Sequence, residues 1–403
     1  MARQKKNKKS KLYFALSALF LLALLASGIY YSHRQKLALL PKSVRIGLDV
    51  ELTGELKAVG NSSKKAALLA VKDINSEGGL KIGSRYYPVE LIIKDNQGSI
   101  ALSESNVKDL VEKDRVIAIV GPNANKFADP SSDVANSLKI AFISPWSNDA
   151  ATTIDLTTKE PKRYAFRTAF TDDVQMNALA NFAINTLHAK KAAILYDKDQ
   201  KVLTSQADLF KKAFEKNGGS VNTYASFSEK DSYFTSAFNS ILNDPPDIIF
   251  LPAYYIQASN IIKQAHYVGI KTPFLGSDAW GNKEILTSCG MDCEEYYLSA
   301  HFSPNIPTNE NKSFVSEFQA QYKTSPDDVA ALTYDSFGLI FQSLFSAGKI
   351  NTQALRDQLI QINNYQGVTG IISYNGQNGD PKKSVVILQI KNGKLNYSTS
   401  INP

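Results

Sequence analysis

Two cysteines and four histidines in 403 residues leave little material for metal chemistry or histidine-based catalysis. His33, His188, His266 and His301 stand in unrelated contexts, none with a nucleophile and an acid at recognisable spacing, so no catalytic histidine is expected. A Gly-Xaa-Ser-Xaa-Gly elbow, a Walker loop, a His-Glu-Xaa-Xaa-His pair and a dinucleotide fingerprint are all missing. Gly121-Pro122-Asn123-Ala124-Asn125-Lys126 is too short for a phosphate loop and lacks the second glycine before its lysine. These absences argue against an enzyme and against any metal or cofactor. No long Pro-, Ser- or Gly-rich linker interrupts the chain, and 43% hydrophobic with 21% charged residues is a globular composition. The length suits two or three domain-sized units.

Acidic residues are absent from positions 1–42, which carry nine of the 45 Lys and Arg. The remaining 36 basic residues face all 38 acidic ones, so the formal charge of +7 belongs to the tail and the body is near −2. Nucleic acid therefore loses its main support as a partner. The tail, residues 1–11, holds Arg3, Lys5, Lys6, Lys8, Lys9 and Lys11, and an uncharged stretch follows over 12–32. About 20 apolar residues span a bilayer, and a secretory signal core is usually shorter. Both send the body across the membrane, because flanking positive charge stays in the cytoplasm. Tyr13, Tyr30 and Tyr31 suit a retained anchor, and Ala26-Ser27-Gly28 suits cleavage. The expected location is the periplasmic or extracellular face of the cytoplasmic membrane. In that oxidising setting Cys289 and Cys293, four apart, most simply form a local disulfide. The rival, half of a metal site, lacks further ligands at suitable spacing.

From Val44 onward short apolar runs alternate with helical periods, which predicts βαβ units and a mostly parallel sheet. Strands are expected over Val44–Leu48, Val89–Lys94, Val116–Val120, Ile140–Ile143, Ala192–Tyr196, Ile248–Leu251 and Pro273–Leu275. Helices are expected over Ser63–Asn75, stopped by Gly78-Gly79, and over Ser103–Glu112 and Val174–Leu187. The alternation repeats on both sides of Arg167, so the architecture is α/β with two doubly wound, Rossmann-like lobes. Near the C-terminus, Val385–Lys391, Asn392-Gly393 and Lys394–Ser398 read as a hairpin. Ligands of such sheets sit beyond the carboxyl ends of the strands, so function is sought in a cleft between lobes.

A series of short motifs then resembles the periplasmic solute-binding proteins typified by the leucine/isoleucine/valine receptor of ABC importers. It runs through Ile46-Gly47, Leu52-Thr53-Gly54, Gly60, Ala70 to Gly79, Asp95, Ile119 to Pro122 and Ile143-Ser144-Pro145. In the second half come Tyr196-Asp197-Lys198, Gln264 to Ile270 and Phe274 to Asp278. The resemblance implies a type I periplasmic-binding-protein fold, two lobes joined by three crossover strands near Arg167, Ser299 and Lys383. Lobe 1 would comprise residues 43–167 plus 300–382, and lobe 2 residues 168–299 plus 383–403, preceded by the N-terminal hydrophobic helix. It implies a receptor that closes around a small polar ligand, an amino acid or related compound, for an ABC permease. The alternative is a membrane-anchored sensing ectodomain that passes ligand state to a signalling partner.

The same resemblance assigns Asn125, Trp146 and Asn148 to a carboxylate cradle and Tyr254 and Asp278 to the ammonium, with Ser147 a further ligand-binding residue. A strand-to-helix turn offers N–H groups to an anion, and a partly buried carboxylate calls for a cation. Each residue also has a plainer role open to it. Asp278 fits a turn cap, Tyr254 a core edge, Trp146 a side chain packed under its loop, and Asn125 an ordinary turn. Lys201 stands where such receptors usually close the pocket with an aromatic ring, and is either an anion clamp or a solvated lysine. Val59 replaces a common aromatic wall, and asparagines replace the usual hydroxyls at 125 and 148. An α-amino acid fits this set, but aliphatic specificity is not supported.

Overall fold

The structure is a computed structural model that describes residues 41–403 apart from Asn282, Asn375 and Gln377. The chain divides into two units at Ser43, the second of which, Val44–Pro403, is compact. The tail and apolar segment expected over residues 1–32 lie outside the described residues, among which no helix is long and apolar enough to cross a membrane.

Within the second unit the first stretch comprises Val44–Val50 (β1), Lys57–Ser76 (α1), Leu80–Ile82 (β2), Arg85–Tyr87 (β3), Val89–Asp95 (β4), Ile100–Glu112 (α2), Ala118–Val120 (β5), Asn125–Ser137 (α3), Ala141–Ser144 (β6) and Ala165–Arg167 (β7). Five of these strands form a wholly parallel sheet in the order β4-β1-β5-β6-β7. Helices cover both faces, which is why the strands read as continuous apolar runs rather than alternations. Ile46 and Leu48 pack with the cluster that holds Phe337, Ile340, Leu344, Leu355 and Leu359. Ile119 and Phe142, on the other face, meet Val107 and Leu110 of α2.

The next stretch comprises Asp172–Asn185 (α4), Lys191–Asp197 (β8), Lys201–Lys216 (α5), Ser220–Phe227 (β9), Thr235–Asn243 (α6), Ile248–Phe250 (β10), Tyr255–Tyr267 (α7), Phe274–Gly276 (β11), Lys283–Cys289 (α8) and Tyr297–Ala300 (β12). Its parallel strands run β9-β8-β10-β11-β12, the same winding as the first sheet. Phe182, Phe210, Phe214 and Phe250 fill one face and Leu195, Ile249, Ile261 and Phe274 the other. Each fully buried phenyl ring there contributes about 2 kcal/mol of transfer free energy.

Asn309–Tyr322 (α9), Asp328–Ala347 (α10), Thr352–Leu359 (α11) and the short strands Tyr365–Gly367 (β13), Gly370–Ser373 (β14) and Lys382–Lys383 (β15) follow. The chain then re-enters the second sheet as Val385–Lys391 (β16), antiparallel to β12, and ends in Lys394–Ile401 (β17). Asn392 and Gly393 both have positive φ, 55° and 63°, as a type I′ hairpin turn requires. The chain thus passes between sheets after Arg167, after Ala300 and before Val385. Cys289 and Cys293 are bonded to each other, with Cα atoms 5.7 Å apart.

Candidate functional site

A cleft of about 370 Å³ lies at the carboxyl ends of the strands, lined by Ala124, Asn125, Lys126, Trp146 and Asn148 on one wall and by Asp278 and His301 on the other. Two roomier grooves, of about 460 and 420 Å³, share Arg163 and Arg356 near the amino ends of β6 and β7, and neither is lined by residues of the second sheet.

The first wall is built after β5 and β6. Gly121 turns the chain out of β5 with φ of 81°, and a Cβ there would come within 2.1 Å of the Asp49 carbonyl oxygen. Helix α3 starts without a side-chain cap from Ala124. The fully buried Glu51 substitutes for one, accepting from the Asn123 N–H at 3.1 Å, Asn123 Nδ2 at 2.9 Å and the Ala124 N–H at 3.3 Å. The next N–H groups, those of Asn125 and Lys126, have no intrahelical acceptor, and both residues border the cleft.

Asn125 ties the two loops of this wall together. Its Oδ1 accepts from the Ser147 hydroxyl at 2.7 Å and the Asn148 N–H at 3.1 Å, and its Nδ2 donates to Asn148 Oδ1 at 3.0 Å. With that oxygen engaged, the amide N–H groups are what Asn148 has left to offer. Ser147 departs from its expected place at the ligand. The turn after Pro145 points it inward, where it is fully buried and its hydroxyl also meets Thr152 Oγ1 at 2.6 Å, so it fixes the wall without lining it. Trp146 is half-buried, and its indole N–H donates to Asp328 Oδ2 at 3.2 Å, which leaves the ring face as an apolar surface.

Arg167, which the sequence marked only as a boundary, holds this wall from below. Its fully buried guanidinium donates to the carbonyl oxygens of Ser147 at 3.2 Å and Asp149 at 2.6 Å and to Thr153 Oγ1 at 2.7 Å, while Nε pairs with Asp380 at 2.6 Å. One side chain thus links the cleft loop, the first crossing and the segment that leads to the third.

On the second wall Asp278 opens a turn right after β11, where the Ser277 hydroxyl accepts from the Ala279 N–H. Trp280 is fully buried and donates to the Leu251 carbonyl at 2.9 Å, which anchors the turn and leaves Asp278 on the cleft side. Gln175 Nε2 donates to Asp278 Oδ1 at 2.7 Å, and His301 Nε2 lies 3.6 Å from Oδ2. Burial works to raise the Asp278 carboxyl, but His301, Gln175 and the Ala279 N–H outweigh it and hold the group below its ordinary value. Tyr254, 48% exposed just before α7, and Lys201, exposed at the start of α5, do not line this cleft. Val59 is half-buried on α1. Ala124, Lys126 and His301 are the wall residues that sequence reasoning missed, His301 having been weighed for catalysis alone. The available signal for His301 was its position immediately after β12, as Asp278 follows β11.

Two sheets of the same winding, three passages between them and a polar cleft at their carboxyl ends define a type I periplasmic-binding-protein fold. The family model described as periplasmic binding protein matches residues 43–394, and the chain belongs to that family. It is 28% identical over 251 residues to Leu/Ile/Val-binding protein homolog 3 of Brucella melitensis, an alignment that spans 62% of this chain and 65%, just under two thirds, of that protein. It is 23% identical to the leucine-, isoleucine-, valine-, threonine- and alanine-binding protein of Pseudomonas aeruginosa, over 84% of this chain and 87% of that one. Among solved structures, the branched-chain amino acid transporter substrate-binding protein of Streptococcus pneumoniae, in complex with isoleucine, superposes with a TM-score of 0.68 at 27% identity, covering 90% of this chain and all of that one.

Proposed function

We propose that this protein is an extracytoplasmic receptor that closes around a small zwitterion, an α-amino acid or a close analogue, and delivers it to an ABC permease without altering it chemically. The observation that carries this reading is the pairing of a donor wall with a carboxylate wall across one cleft. The Asn125 and Lys126 N–H groups and the Asn148 amide suit a carboxylate, and Asp278 suits an ammonium. Trp146 covers the apolar part of the ligand, with Tyr254 and Lys201 reaching it from the rim of the second lobe on closure. Lobe 1, residues 43–167 with 300–382, and lobe 2, residues 168–299 with 383–403, rotate about the three passages, and contacts made only in the closed form drive closure. The body is held at the outer face of the cytoplasmic membrane by the apolar segment 12–32, or is released there after cleavage.

Calorimetry of the full chain against amino acids, the matching amines and the matching monocarboxylates tests this. Amino acids should bind, and removal of either charged end should abolish most of the heat. Equal binding of an amine or a carboxylate alone would sink the zwitterion reading.

A further inference from the structure

Three carboxylates act by charge on one imidazole that lines the second wall of the cleft. His301 sits at the second passage between sheets, is only 6% exposed, and stacks on Phe170 at the first passage with ring centroids 3.7 Å apart. Its Nε2 is 3.6 Å from Asp278 Oδ2, too long for a hydrogen bond but within ion-pair reach. Asp172 at the start of α4 and Asp328 at the start of α10 also interact with it through charge, and Lys126 is the cation on the facing wall. Its Nδ1 is buried with no hydrogen-bond partner among the described residues, and the ion-pair contact of the ring is with Asp278 through Nε2.

We propose that His301 competes with the ligand's ammonium for Asp278, so that this histidine sets the charge class the cleft accepts and the pH at which the ligand is released. The inference rests on the zwitterion reading given above. A three-quarters-buried carboxylate needs compensation, and an imidazolium beside it supplies the charge that a ligand would otherwise bring. An ammonium arriving next to that imidazolium meets like charge, which opposes binding. Deprotonation of the ring frees the carboxylate for the ligand.

Asp278, held below its ordinary value, stays ionised in the range where an imidazole changes charge. Burial pushes Asp172 up to about 6, against the opposing hydrogen bond from Gln206. Its protonation on acidification removes a further negative charge and acts with the same sign. Burial also pushes Asp328 upward, so affinity for an ammonium ligand rises with pH and levels off once the ring and these two carboxyls have lost their protons.

Two measurements on the full chain test this. In protein stripped of ligand and labelled with carbon-13 histidine, NMR follows the ring signal that disappears in His301→Gln. Its titration midpoint should fall in Asp278→Asn, which removes the facing negative charge, and an unmoved midpoint overturns the competition whatever the ligand is. Calorimetry with L-isoleucine and L-lysine between about pH 7.5 and about pH 5 should show a loss of about tenfold in affinity, reduced to under about threefold in His301→Gln, whereas isovalerate should weaken by no more than about twofold, through its own protonation. An undiminished loss in His301→Gln also overturns it. If neither amino acid binds at any pH, the zwitterion reading fails, and the ligand-free titration alone decides the competition.

Discussion

On the first wall of the cleft, the exposed Lys126 side chain aside, the polar groups are neutral dipoles locked by buried partners: N–H groups positioned by Glu51, and an Asn125–Asn148 pair whose loop is held by Arg167. The second wall depends on one carboxylate, compensated by Gln175 and an ionisable histidine. An anion can be held by many weak oriented donors, none of which itself titrates near neutrality. A cation calls for a charge, and a partly buried charge needs partners that can be displaced. The difference teaches that adjustability is concentrated in the half built with fewer residues.

The change that should break the comparison most severely is Asn148→Asp, which sets a carboxylate against the ligand's own. Like-charge juxtaposition costs several kcal/mol, so binding of amino acids should fall by about a hundredfold or more in calorimetry, while the matching amines gain. Next comes Asp278→Ala, which leaves the ammonium without its partner and should weaken amino-acid binding by at least about tenfold. It should scarcely affect a monocarboxylate lacking the ammonium. If both substitutions weaken every ligand alike, the two walls do not divide the work by charge.

Much of this division was legible in the sequence. Strands such as Val44–Val50 and Ile248–Phe250 are buried on both faces, so the apolar run itself reveals them, and the Asn-Gly pair at 392–393 specifies its own turn. Ser220–Phe227 did not stand out because it is the edge strand, with few buried positions, and Ala165–Arg167 because its apolar pair is bracketed by Arg163 and Arg167. Asn125, Trp146, Asn148 and Asp278 were legible as residues lining the cleft because each lies just beyond a strand that the pattern exposes. The supports were not. Glu51 reaches Asn123 across 72 positions and Arg167 reaches Asp380 across 213, and nothing in local periodicity links such pairs. Ser147 differs from its neighbours only in direction, set by the turn after Pro145, and composition carries no direction.

Trp146 belongs to neither kind of wall, and its substitution gives the smallest effect. Because its N–H is committed to Asp328, the indole offers a ligand only its face. Trp146→Ala should therefore cost about 1 kcal/mol, the scale of one aromatic contact, and should cost amino acids, amines and carboxylates of equal apolar bulk about the same. Trp146→Phe keeps a ring and should recover most of the loss, even though it takes the indole donor away from Asp328, whose carboxyl burial already pushes upward. The heat capacity change of binding should become less negative in Trp146→Ala, in step with the apolar area no longer covered. A loss confined to amines would instead mean that the ring acts on the cation through its π face, and would move Trp146 to the side of Asp278.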